Sequence, residues 1–151
     1  MASKVLAFDV GKHGGMAYED SVLEVSEPFD FTTLNDYFKR VKAAIDLYKP
    51  DIVATAYPTR FYRVIVFQSK LAAIIELACE VKGVEFYEVQ DSTVKKAVLG
   101  NGHAKKDEIM KFFNKTNEHE ADAAMFCKYI TNLLCQSENT RTESRTPTNR
   151  A

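Results

Sequence analysis

The stretch Lys4-Val5-Leu6-Ala7-Phe8-Asp9-Val10, followed by Gly11-Lys12-His13-Gly14-Gly15, decides how this chain is read. Val5 to Phe8 is a short apolar run, the pattern of a buried strand. Asp9 interrupts it near its end, and the glycines behind it signal a tight turn. A carboxylate buried there needs a partner, often a metal. A turn cap is the plainer account of an Asp-x-Gly taken alone, so the rest of the chain has to decide.

Working outward, residues 15–18 and 21–25 read as two more strands, joined at Glu19-Asp20 into an antiparallel meander with the first. Residues 28–31 read as a connection. Thr32 or Thr33 can cap a helix whose apolar positions, Leu34, Tyr37, Phe38, Val41, Ile45 and Tyr48, keep helical spacing, and Pro50 ends it. Residues 51–57 are a buried strand of small and β-branched residues. Coming after a helix, it is expected to pair parallel with the first strand. Pro58-Thr59-Arg60 is a turn. Residues 61–82 form a long helix, apolar on more than one side, suited to the core or to a subunit interface. Gly83 is its expected cap, and residues 84–89 alternate as a last strand.

Three further helices are predicted: a short one from Ser92 or Thr93 to Gly100, one over 104–114 with Ile109, Met110, Phe112 and Phe113 inward, and one over 119–136. From Gln136 the composition turns to Ser, Thr, Asn, Arg and Pro, the signature of disorder. The division expected is one folded domain over 1–136 and a disordered tail over 137–151. The element order implies an α/β domain with a mixed five-stranded sheet flanked by helices.

The chain has 151 residues and a formal net charge of −1, so net charge alone says nothing about nucleic acid. Its distribution says more. Residues 14–38 carry Glu19, Asp20, Glu24, Glu27, Asp30 and Asp36 with no Lys or Arg. Residues 94–115 reverse this, with Lys95, Lys96, Lys105, Lys106, Lys111 and Lys115 against Asp107 and Glu108. One face is thus expected to repel phosphate and another to attract it. A solvated helix surface explains the lysines as well. Cys79, Cys127 and Cys135 have no metal-ligand spacing and read as reduced core thiols. No apolar run is long enough for a membrane span, and the first strand starts too early to leave room for a signal peptide. The expectation is a cytoplasmic protein that is not secreted.

A second acidic signal is His119-Glu120-Ala121-Asp122. His119 and Asp122 are three apart and share a helix face, while Ala121, Ala123 and Ala124 let that helix lie close to the sheet. Together with Asp9 they would make an oxygen-rich site with one imidazole, better suited to Mg²⁺ or Mn²⁺ than to zinc. A helix start rich in capping residues, with Asn117 as the cap, explains the same residues.

At this point the sequence resembles a family. Phe8-Asp9-Val10-Gly11 looks like the first strand of the RuvC-like Holliday junction resolvases, in the ribonuclease H-like superfamily. Residues 94–106, Val-Lys-Lys-Ala-Val-Leu-Gly-Asn-Gly-His-Ala-Lys-Lys, resemble that family's Val-Lys-Gln…Gly-x-Gly-x-Ala-x-Lys segment. Its two functional lysines fall on Lys95 and Lys106. His119-x-x-Asp122-Ala123 resembles its C-terminal metal motif. The resemblance spans residues 4 to about 134. It implies a homodimer that binds branched DNA, four-way junctions and forks among it, and a phosphodiester hydrolysis using two divalent ions, ~4 Å apart. Asp9, His119 and Asp122 would be the ligands, with Lys95 and Lys106 on the phosphate.

Further DNA contacts are expected from Lys12, Lys96, His103 and Lys105, and from the group Tyr57, Arg60, Phe61, Tyr62 and Arg63. An aromatic of that group could stack on unpaired bases; core packing accounts for it equally. One departure matters. The family's Pro-Asp-x-x-Ala-x-Glu strand matches Pro50-Asp51-Ile52-Val53-Ala54-Thr55-Ala56 except at the end, where Ala56 replaces the metal-bridging Glu. The resemblance leaves open whether such a chain binds metal poorly, whether a neighbour substitutes, or whether it is an inactive variant. A non-cleaving branched-DNA module and a ribonuclease H-like nuclease acting on RNA are the alternatives.

Overall fold

The computed structural model describes residues 3–57 and 62–144. Its elements are β1 (Val5–Asp9), β2 (His13–Glu19), β3 (Glu24–Asp30), α1 (Leu34–Tyr48), β4 (Ile52–Ala56), α2 (Tyr62–Lys82), β5 (Glu85–Val89), α3 (Asp91–Leu99), α4 (Lys106–Phe113) and α5 (Glu118–Ser144). The strands form one sheet in the order β3-β2-β1-β4-β5. The meander β1-β2-β3 is antiparallel, and β1-β4 and β4-β5 are parallel. This is the α/β arrangement, a mixed five-stranded sheet flanked by helices, that the sequence predicts.

Alternation along β1 sorts the core into two layers. Val5 and Ala7, with Ala17, Ile52 and Ala54, face α3, α4 and α5. Leu6 and Phe8, with Met16, Tyr18 and Val53, face α1 and α2. The central strands are buried on both sides, which is why β1 and β4 read as unbroken apolar runs.

Local chemistry sets the boundaries. Asp20 folds the β2–β3 turn by accepting the Val22 and Leu23 N–H groups, both at 2.7 Å. That side-chain turn shifts β3 to 24–30 rather than 21–25, so the connection expected at 28–31 is mostly strand. Pro28 pairs with Gly15, and is tolerated because β3 is an edge strand, where a missing N–H costs no second ladder. Thr33 caps α1, its Oγ1 accepting the Asp36 N–H at 3.0 Å. Lys49, in the left-handed region at φ 47°, closes the helix before Pro50.

Other expectations are corrected. Phe112 is exposed rather than inward, while Ile109 is buried. Cys79 and Cys127 are buried, but Cys135 is exposed. α5 runs to Ser144, past the end at 136 expected for this helix, because neither Gly nor Pro interrupts residues 118–144. Residues 145–151 lie outside the described residues, as do Arg60, Phe61 and the turn expected at 58–60. Among the described residues no helix is long and apolar enough to cross a membrane.

Candidate functional site

Asp9 ends β1 on the layer that α5 covers. Its cross-strand partner is Gly15, and this glycine decides how near α5 can come. A Cβ at Gly15 would run into the His119 backbone carbonyl. Ala7, Ala17 and Ala54 continue the small-residue floor beneath Ala121 and Ala123. Asn117 fixes the helix start, its Oδ1 accepting the His119 and Glu120 N–H groups at 2.9 and 3.1 Å. The result is a 2.8 Å contact between His119 Nδ1 and Asp9 Oδ2, across 110 residues of chain.

The two side chains lie in a cleft of about 440 Å³, which Asp122, Lys95, Lys106, Lys12, Ala56 and Tyr57 also line. β1 and β4 are in register, Phe8 beside Thr55. Ala56 therefore follows beside Asp9, on the same layer. Thr55 faces the other way and donates its hydroxyl to the Phe8 carbonyl at 2.9 Å, so it cannot stand in for the carboxylate Ala56 lacks.

Two carboxylates in this cleft, Asp91 and Glu118, are not among the site residues that the sequence suggests. Asp91 Oδ2 lies 2.7 Å from Lys95 Nζ, one turn along α3. Glu118 Oε2 lies 3.1 Å from Lys106 Nζ, and its Oε1 lies 3.4 Å from His119 Nε2. Asp91 had a readable signal: it comes two residues after Val89, the partner of Ala56 in the β4–β5 ladder, and so sits at a strand end, where ligands gather. Glu118 reads in sequence only as a favourable charge at a helix start.

The electrostatics follow from crowding. Burial raises the Asp9 carboxyl above its usual range, against the opposing pull of His119. Burial, then Asp9 and Asp91, push Asp122 up to about 7. The hydrogen bond to Asp9 raises His119 above its usual value, and Glu118 adds to this. With a carboxylate at each ring nitrogen, the imidazolium is favoured, whereas a metal ligand must be neutral. Among the described residues no three His, Cys, Asp or Glu side chains come together so as to hold a metal ion. Asp9, His119 and Asp122 share the cleft, but as arranged they do not fit the two-ion site.

The remaining expected residues divide. Lys12 and Tyr57 line the cleft. Lys96, His103 and Lys105 are exposed on α3 and the connection to α4, outside the cleft lining. Tyr62 and Arg63 fall in the first turn of α2.

Known proteins share this fold. The chain is similar in fold to Thermus thermophilus RuvC, at TM-score 0.67 and 21% identity, over 91% of this chain and 97% of that one. The same protein solved in complex with a Holliday junction substrate gives 0.69 and 19% over the same shares. A fowlpox virus resolvase solved with its substrate Holliday junction DNA gives 0.53 and 15%, over 87% of this chain and 98% of that one. A search of curated protein sequences gives no significant match. The family profile described as crossover junction endodeoxyribonuclease RuvC matches residues 17–124, a stretch that holds Ala56, Lys95, Lys106, His119 and Asp122. The chain belongs to the RuvC family.

Proposed function

We propose that the protein binds branched DNA, four-way Holliday junctions above all, as a structure-specific endodeoxyribonuclease scaffold that cuts slowly or not at all as its sequence stands. The observation that carries this reading is the convergence of Asp9, Lys95, Lys106, His119 and Asp122 in one cleft, in a chain of this family. Fold relatives solved on Holliday junction DNA support the choice of substrate. Lys95 and Lys106 meet the phosphate there, Lys12, Lys96 and Lys105 extend the positive surface along the backbone, and His103 adds a polar contact. A homodimer would present two such clefts to two strands of the junction. Its place in the cell is wherever branched DNA arises, the cytoplasm or a nucleoid, organellar or viral DNA compartment.

Divalent ions, Mg²⁺ or Mn²⁺, are what a resolvase of this kind uses to activate water and stabilise a leaving oxygen. This cleft offers them too little free anionic oxygen. Ala56 contributes none, Asp9 is held by His119, and Asp91 and Glu118 are each neutralised by a lysine. No hydrolytic step is therefore assigned to the cleft as built.

The test is a labelled four-way junction with Mg²⁺ or Mn²⁺, beside a duplex of the same sequence. The expected result is preferential junction binding with little cutting. Ala56→Glu should restore metal-dependent cleavage, and the equal-sized but uncharged Ala56→Gln should not. Ala54, fully enclosed in the core, is no site for a control carboxylate. Cleavage at an ordinary enzymatic rate, with nothing added by Ala56→Glu, would overturn the reading.

A further inference from the structure

Two of the three lysines that line the cleft are already engaged. Lys95 pairs with Asp91 inside α3, and Lys106 of α4 pairs with Glu118 at the start of α5. A carboxylate offers an ammonium group the same thing a phosphodiester does, one negative charge shared between two oxygens. We infer that Asp91 and Glu118 are built-in competitors for the phosphate: they hold Lys95 and Lys106 in the free protein and thereby set how strongly the cleft takes a DNA phosphodiester. The inference rests on the proposed role of these lysines as phosphate contacts.

Three consequences follow. A phosphate entering the cleft must displace each carboxylate from its lysine. The displaced carboxylate then faces the phosphate across the same small space, alongside Asp9 and Asp122, and like charges at that range repel. It draws a cation from solution, which offsets part of the counterion release that drives DNA binding. The two pairs are not equal. The Lys95 and Asp91 side chains are 15% and 29% exposed, against 53% and 35% for Lys106 and Glu118. Solvent screens the second pair more, so Asp91 is the stronger competitor.

The experiment measures binding of a labelled four-way junction in EDTA, across a salt series, with Asp91→Asn and Glu118→Gln. Both substitutions keep size and remove charge. Glu118→Gln should tighten binding by roughly two- to fivefold, the range set by a partly exposed ion pair, and Asp91→Asn by more. Each should steepen the dependence of log K on log salt by up to about 0.9. Lys95→Ala and Lys106→Ala should weaken binding, and Lys95→Ala should cancel the gain from Asp91→Asn. Thermal unfolding of each variant identifies any that does not fold. Should Asp91→Asn be one of these, Glu118→Gln on the more exposed pair carries the test. If the lysine variants weaken binding but neither carboxylate variant tightens it, the competitor role is wrong while the phosphate contacts stand. Weaker binding by Asp91→Asn would overturn it too, marking Asp91 as a residue that positions Lys95. If the lysine variants bind as well as the parent chain, the phosphate contacts fail and this inference falls with them.

Discussion

His119 stands between two carboxylates, with Asp9 at one ring nitrogen and Glu118 at the other, and Asp122 is one turn away. These groups make stability depend on pH in one direction. Asp122 titrates near 3.8 when free and near 7 here, chiefly because it is buried. Between those values the folded chain keeps a proton the unfolded chain has lost, so stability falls as pH rises from about 4 to 7. Asp9, also raised by burial, acts the same way. His119 is raised by its bond to Asp9, so its contribution is complete below its ordinary 6.5 and is lost as pH climbs through the higher folded value. In metal-free buffer, Asp122→Asn should therefore gain Tm relative to the parent chain as pH goes from 4 to 8. Parallel Tm profiles would count against this placement of Asp122. Sequence made Asp9, His119 and Asp122 legible, since a strand tip and a helix face are local patterns. The Lys95–Asp91 pair, four residues apart in α3, is a local pattern too, but the pairing of Lys106 with Glu118 depends on how α4 packs on α5.

At the scale of elements, the approach of α5 to β2 builds the cleft, and Gly15 permits it. Gly15→Val places a side chain against the His119 carbonyl, pushing the start of α5 off the sheet. The expected cost is about 1–3 kcal/mol, typical of overpacking, measured by urea unfolding. The His119 ring should also titrate closer to its ordinary value by NMR as its bond to Asp9 lengthens. Gly11→Ala, whose Cβ would sit at an ordinary 3.4 Å from the nearest oxygen, should cost much less. If the two variants are equally stable, close approach at Gly15 is not what seats α5. The strands and helices themselves were largely legible, because β1, β4 and α1 carry strong patterns and caps. The bounds of β3 were not, since an Asp20 side chain sets that turn. Nor was the end of α5, since polar residues with no breaker fit helix and tail alike.

For the whole molecule, α2 lays Leu71, Ile75, Ala78 and Cys79 on the core and leaves Val66, Leu77 and Val81 exposed. With Ala73, also exposed, they fall on one helix face. A two-fold homodimer across this stripe is the expected state. Light scattering at micromolar concentration should give twice the chain mass, and Leu77→Glu should halve it. A single-chain mass for the parent protein would rule this interface out. The topology could be read from sequence because a strand after a helix returns parallel, but the same apolar α2 fitted both core and interface, and only its packing separates the two faces. The contact between Asp9 and His119 spans 110 residues, and this has a meaning in time. At about 5–20 residues per second, a ribosome makes His119 roughly 5–20 s after Asp9. Through that interval the growing chain has strand tips and lysines but no closed cleft. The cleft proposed to take DNA phosphate therefore closes only once synthesis has reached the start of α5.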